Sequence, residues 1–355
     1  MLSTLPKWAI AGLAFPLIVL NGWLLYRLGA LLQPIPSIIA TASLLAFLLD
    51  YPIALLQGRS VSRGVATAMV LLSALTAAIV LVIFLGPLVW KQLNDFADSL
   101  PRLVELGKNQ LLLLNEQPFM QNLPLDFEEI TIQAANRLSS ALQSATSQVI
   151  GVTLSTINST LNLLITLVLS LLLVLNGERL WNGLLSWLPK NLQQETRDSL
   201  QPSFQGYFSG QATLALILAT AEAIAFIVLD VPYGLLFGIV IGFTSLIPFG
   251  GTVAVLGISV LLSFQSITLG LKVLIVAAIL GQINDNVIAP KLIGGVTGLN
   301  PAVVIVVLLV GAKFAGFLGL LLAVPTASFI KKVADALRSP AITSDAASSL
   351  VGQSL

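Results

Sequence analysis

The chain contains no cysteine and no histidine, and only 9% of its 355 residues are charged. Without cysteine there are no disulfides, no thiolate metal sites and no cysteine nucleophiles. Without histidine the commonest metal ligand is missing, along with the one side chain that titrates near neutrality unaided, so any proton carried by a side chain must ride on Asp or Glu. A net charge of +1 with no basic cluster gives no electrostatic footprint for nucleic acid. Soluble domains carry about 25% charged residues. Here 56% of residues are apolar and the mean hydropathy is +0.96. The composition is that of an integral membrane protein, and the expected fold is all-α and polytopic.

A helix needs about 20 mostly apolar residues to cross the hydrocarbon core. The stretches that qualify are 8–26, 35–56, 65–90, 150–176, 207–229, 233–263, 267–289 and 301–330, which predicts about eight transmembrane segments. The first is read as a retained span, since no small-x-small cleavage site follows Tyr26. Arg59 and Arg63, then Arg179, Lys190 and Arg197, then Lys331, Lys332 and Arg338 fall on one side of an eight-crossing topology. Positive charge stays cytoplasmic, so both termini are expected there. A re-entrant segment would change that parity.

Four regions are expected: membrane helices over 1–90, an extramembrane helical hairpin over 91–150, membrane helices over 151–335 and a disordered tail over 336–355. The segment 91–150 holds Asp95, Asp98, Glu105, Glu116, Asp126, Glu128 and Glu129 against Lys91, Arg102, Lys108 and Arg137, a net charge of −3. Leu138, Leu142, Ala145 and Val149 recur at amphipathic helical spacing after Asp126, a suitable N-cap.

An ionisable group at the bilayer centre costs at least about 2.5 to 3.5 kcal/mol on insertion scales, which makes each one a site candidate. Asp50 and Asp230 are read as span-end residues in contact with headgroups and water. Glu222 lies deep in the fifth span, and Lys313 in the last is a candidate partner for Glu222 or for Asp285. Gln282, Asp285 and Asn286 follow the i, i+3, i+4 pattern that places them on one helical face. Pro290 is expected to end that helix, with Gly294, Gly295 and Gly298 leading to Asn300-Pro301. A second interruption, Thr244-Ser-Leu-Ile-Pro248-Phe-Gly250-Gly251, fits either a re-entrant hairpin or a Pro-kinked helix. Broken helices at membrane depth survive only where protein or a watery cavity satisfies the freed backbone. Such breaks often point helix ends at a central substrate. Asn162, Thr166 and Ser170, and the triplet Gly234, Gly238 and Gly242, suit close helix packing.

Taken in order, these blocks resemble the AI-2E family of bacterial membrane transporters. The matching stretches include Arg59-Ser-Val-Ser-Arg63-Gly, Tyr207-Phe-Ser-Gly-Gln211, Leu246-Ile-Pro-Phe-Gly-Gly251, Asp285-Asn-Val-Ile-Ala-Pro-Lys291 and Gly316-Phe-Leu-Gly-Leu-Leu-Leu-Ala-Val-Pro325. Asn300 stands where the family commonly has histidine. The resemblance implies a bacterial plasma-membrane location, homo-oligomerisation and secondary transport. The implied cargo is a small polar solute of the autoinducer-2 kind, or Na+ or Li+ exchanged for protons. No organic cofactor is expected; a coupling ion would be Na+, Li+ or H+.

No Walker A sequence is present to bind nucleotide phosphates. The leading expectation is a secondary transporter, not an enzyme. Its substrate or ion pathway is expected at Asp285, Asn286, Gln282, Glu222, Pro248, Gly250, Gly251, Pro290 and Lys313. The competing expectation is a membrane scaffold acting through 91–150.

Overall fold

Apolar helices dominate the computed structural model, which describes residues 31–115, 156–187, 202–292 and 298–338 together with scattered single positions. The second arm of the acidic segment and the tail beyond 338 lie outside the described residues, as does most of the expected span 8–26. No strand occurs among the described residues. The helices are α1 (Ile35–Gln57), α2 (Arg63–Phe84), α3 (Gly86–Asn115), α4 (Thr156–Leu185), α5 (Tyr207–Val228), α6 (Gly234–Thr244), α7 (Gly250–Ser263), α8 (Ile267–Ile283) and α9 (Pro301–Arg338).

Leu72, Val82 and Phe84 of α2 are 66 to 72% exposed, as lipid-facing side chains should be. The expected third span, 65–90, ends sooner than predicted, and α3 begins after a single residue, Leu85. Contact with lipid carries no hydrophobic drive, so membrane helices associate through small residues that let backbones approach. The α5–α6 pair is built this way. A Cβ added at Gly234 would strike Phe226, one at Gly238 would sit 2.5 Å from the Ala223 nitrogen, and one at Gly242 would collide with Ala219. Each advance of four residues along α6 thus matches a retreat of about four along α5, and the helices run antiparallel.

The 233–263 stretch is a hairpin, which decides between the two readings its sequence allowed. Phe96 of α3 packs edge-on against Tyr233 and Phe237, with centroids 5.4 Å away in both cases. Gln92 accepts a 2.9 Å hydrogen bond from the Leu236 amide. Eleven residues further along α3, Gly107 abuts Phe264. At 1.5 Å per residue, those two contacts on α3 are about 17 Å apart, whereas an unbroken helix would separate Tyr233 from Phe264 by about 47 Å. The chain therefore doubles back between α6 and α7. Each arm, at 11 and 14 residues, is shorter than the roughly 20 that a crossing requires.

The expected single span over 301–330 is also corrected. Within α9 the backbones of Gly311 and Gly319 touch, although residues eight apart in a straight helix lie about 12 Å from each other. The helix reverses at Ala315 and Gly316, the latter at φ 57 and ψ −132, a conformation open to glycine and strained for other residues. Lys331 then donates to the Gly298 carbonyl, and Leu308 shares a cluster with Ala323 and Val324. The first arm (301–314) and the second (317–338) form a second hairpin. Its sequence, apolar up to Pro325 except for Lys313, hid the fold-back, because Gly311, Gly316 and Gly319 look like ordinary packing positions.

By length and composition, five described stretches could cross a membrane: Ile35–Gln57, Arg63–Phe84, Ser203–Val228, Ile267–Leu292 and Pro301–Asp335. The last of them is the doubled α9.

Candidate functional site

The two hairpins enter the bundle from opposite ends of α5. At the base of the first, Gly234 lies on Phe226, near the end of α5. The second packs Leu308 and Val324 around Tyr207 and Phe208, at the start of α5. Between these limits the tips overlap. Phe243, close to the first tip, stacks on Phe317 of the second at 5.4 Å and 9°, and Ile247 of the first tip packs into the second hairpin's cluster.

The first tip is a tight turn over Ser245–Phe249, and sequence accounts for its shape. Pro248 removes an amide from the turn, and Phe249 adopts a left-handed φ of 65. A Cβ at Gly250 would run into the Thr244 carbonyl oxygen, so the turn closes only around glycine there. Gln211 of α5 donates a 2.5 Å hydrogen bond to the Ser245 carbonyl, satisfying one of the groups the break releases.

The polar patch of α8 lies on a π turn, Asn284–Ile288, followed by a last helical turn over Ala289–Leu292. Pro290 therefore does not end the helix, contrary to expectation. Its ring has no N–H and crowds the carbonyl four residues back, at Asn286. The wider turn accommodates that clash upstream. Asn286 donates to Gln282 at 2.7 Å, as the i, i+4 spacing predicts, and Asp285 accepts from the neighbouring Asn284 at 3.3 Å. Gln282, Asp285 and Asn286 are all exposed, while Asn284 is 5% exposed. The Asn284 Oδ1 has no hydrogen-bond partner among the described residues. Sequence reasoning passed over this residue. The clue was available: once a proline-driven π turn is allowed, the helical face rotates and a different member of the polar run points inward.

The register of α8 fixes the depth of this turn. Lys272 donates to the Leu229 carbonyl at the far end of α5, and Gly270 faces Ser259 and Ser263 of α7. Fourteen residues along α8 from Gly270, antiparallel to α7, Asn284 comes level with the turn between α6 and α7.

Glu222 has no exposed surface, and neither carboxylate oxygen has a hydrogen-bond partner among the described residues. It lies on the α5 stripe Leu218, Glu222, Phe226, whose apolar members pack with Phe237, Ile241, Val255 and Val273. Lys313 is exposed, two residues before the reversal of α9. Among the described residues it forms no ion pair with Glu222 or Asp285. The structure thus groups Pro248, Gly250 and Gly251 in one turn, sets Gln282, Asp285 and Asn286 at the same depth on α8, and leaves Glu222 enclosed on the α5 face.

Asp50 is held by protein. Its Oδ2 accepts from Gln205 at 3.1 Å, and its Oδ1 lies 3.9 Å from an Arg63 Nη2 that also donates to the Val174 carbonyl. That network joins α1, α2, α4 and the π turn Pro202–Gly206 ahead of α5. Asp230 does lie at a helix end, exposed, with a left-handed φ of 52. No cluster of carboxylates able to hold a multivalent metal occurs among the described residues.

A profile of AI-2E family transporters matches residues 13–339. Two Synechocystis proteins named for transport, sll0060 and sll0063, are each 36% identical to the chain. The first alignment spans 92% of this chain and 95% of the relative, and the second 95% and 87%. The Escherichia coli protein PerM, named as a permease, is 26% identical over 87% of this chain and 88% of its own length.

Proposed function

The chain belongs to the AI-2E transporter family and is a multi-pass membrane protein, and from that premise we propose that it is a secondary transporter whose solute site lies where the two hairpin tips meet. The observation carrying this reading is the stacking of Phe243 on Phe317 between hairpins that enter from opposite ends of α5. Short opposed helices put turns, released carbonyls and helix ends in the middle of the bilayer, where a solute can replace water as their partner. Asn284, with its unpartnered Oδ1, and the amides and carboxylate of Gln282, Asp285 and Asn286 supply oxygen and nitrogen groups at that depth. They suit a small polar solute of the autoinducer-2 kind, or a hard monovalent cation such as Na+ or Li+ exchanged for H+. Glu222 is the second carboxylate of the pathway.

The basic residues at one end of the bundle, Arg59, Arg63, Arg197, Lys331 and Lys332, support a bacterial inner-membrane orientation with both termini cytoplasmic. Homo-oligomerisation is proposed for the exposed faces of α1, α2 and α4.

The test uses purified protein in proteoliposomes with a trapped pH-sensitive dye and an imposed proton gradient. Gradient collapse on adding Na+ or Li+, lost in Asp285→Asn, identifies cation/proton exchange. A stable gradient with protein-dependent efflux of a radiolabelled furanone or polyol identifies solute export. Absence of both fluxes from correctly folded protein would sink the transporter site proposed here.

A further inference from the structure

We propose that the base of the second hairpin is a binding site for one anionic phospholipid, with an acyl chain between the arms of α9 and the phosphate on Lys331. A cavity of about 490 Å³ lies there, lined by Leu299, Val303 and Val307 on one side and Ala327 and Ile330 on the other, with Asn300 and Lys331 completing it. Val303 and Val307, one helical turn apart on the first arm, and Leu299 just ahead of it face the groove as one apolar wall. Its walls open outward: Val303 is 43% exposed and Ile330 60% exposed. In a membrane protein such a slot faces hydrocarbon, and a chain of methylenes matches its apolar walls.

Charge selects the headgroup. Lys331 reaches over the groove to the Gly298 carbonyl, which uses one of its three ammonium donors and fixes the nitrogen at the mouth. Lys332 follows it directly, and no acidic residue lines the cavity. Asn300 spends its side-chain oxygen on the Ala302 amide, so its amide nitrogen remains to donate to a phosphate oxygen. A basic, hydrogen-bond-donating rim above an apolar slot at the end of a membrane bundle is the arrangement that retains anionic lipid headgroups. The site stands apart from the hairpin tips: Lys331 is fifteen residues from the Gly316 reversal, about 22 Å along the helix. Transport and lipid binding can therefore fail independently.

Native mass spectrometry of the full-length protein, released from nanodiscs of equal phosphatidylglycerol and phosphatidylcholine, reads the lipid directly. Phosphatidylglycerol is expected to be retained several-fold over phosphatidylcholine. Lys331→Gln should abolish that preference and Lys331→Arg should restore it, while Lys272→Gln, at the opposite end of the bundle, leaves it unchanged. Val303→Trp fills the slot and should displace the lipid whatever its headgroup, with the melting temperature unaltered. Equal retention of both lipids by the native chain would overturn the proposal. So would a preference that survives both Lys331→Gln and Val303→Trp, or a Val303→Trp variant that changes oligomer mass instead of lipid content, which would mean that a second copy covers the groove.

Discussion

Phe243 and Phe317 stack almost parallel, 5.4 Å apart, and each belongs to a different helical hairpin. This contact joins two elements whose bases lie at opposite ends of α5, so any motion that parts the tips must break it. Aromatic pairs contribute about 0.5 to 1.5 kcal/mol beyond their burial. In a double-mutant cycle, Phe243→Ala and Phe317→Ala should show a coupling of that size in thermal stability. Both should also raise labelling of a cysteine introduced at Ser245, in this otherwise cysteine-free chain. Strictly additive effects on both readouts would mean that the tips do not act together.

The glycine triplet of α6 gives a second prediction. Gly238→Val and Gly242→Val put side-chain atoms where the backbone and Cβ atoms of α5 already lie. Overpacking typically costs about 1 to 3 kcal/mol, and here rigid backbone must yield, so both variants should lose monodispersity in size-exclusion chromatography. Gly281→Ala, whose Cβ would meet nothing within 4 Å, should behave as the native chain does.

Much of the fold was readable from residues, and the failures share a cause. Apolar length marked α1 and α5 closely, because lipid-facing helices need little beyond hydrophobicity. Pro248 with Gly250 and Gly251 announced a break that sequence could not assign to a kink or a hairpin, since that depends on α3 bracing both ends of the arms. At Gly316 even the break was hidden: no proline stands at it, Lys313 nearby reads as a candidate ion-pair partner and not as a turn residue, and the reversal rests on one backbone conformation and the fit of Gly311 against Gly319. In the polar run of α8, Asp285 drew attention by its charge. The π turn instead buries Asn284, a rotation that helical periodicity does not predict.

Asp50 and Arg63 test whether the contact uniting α1, α2, α4 and the start of α5 matters for assembly. Both side chains are about one-third exposed, so the ion pair itself should contribute no more than about 0.2 to 1 kcal/mol. Asp50→Asn, which can still accept from Gln205, should lower the melting temperature slightly, whereas Asp50→Leu, which also removes the oxygen that accepts from Gln205 Nε2, should lower it further. Equal losses from the two would assign the whole effect to the charge.

Glu222 is enclosed among apolar side chains with no basic group beside it among the described residues. A buried charge without a partner costs several kcal/mol, so the core itself gains nothing from ionisation at this position. Glu222→Gln is therefore expected to fold with native thermal stability, and Glu222→Lys to aggregate. If Glu222 belongs to the pathway, the glutamine variant will lose cation-dependent proton movement while remaining folded. Full exchange activity in that variant would reduce Glu222 to a packing residue.

Asn284 and Asp285 separate two kinds of cargo at the α8 turn. Asn284→Leu keeps the volume but removes the inward-facing amide, and Asp285→Asn keeps the shape but removes the outward-facing charge. If a neutral solute is held mainly by the buried amide, Asn284→Leu should cut efflux about tenfold, since a good hydrogen bond in a dry site is worth roughly 1 to 1.5 kcal/mol, and Asp285→Asn should leave it nearly intact. If a cation is carried, the order reverses, and Asp285→Asn abolishes Na+- or Li+-driven proton release. Initial rates for both cargoes, measured on both variants in the same proteoliposome preparation, distinguish the cases. Undiminished transport of both cargoes by both variants would remove the π turn from the pathway and leave the hairpin tips alone to bind the solute.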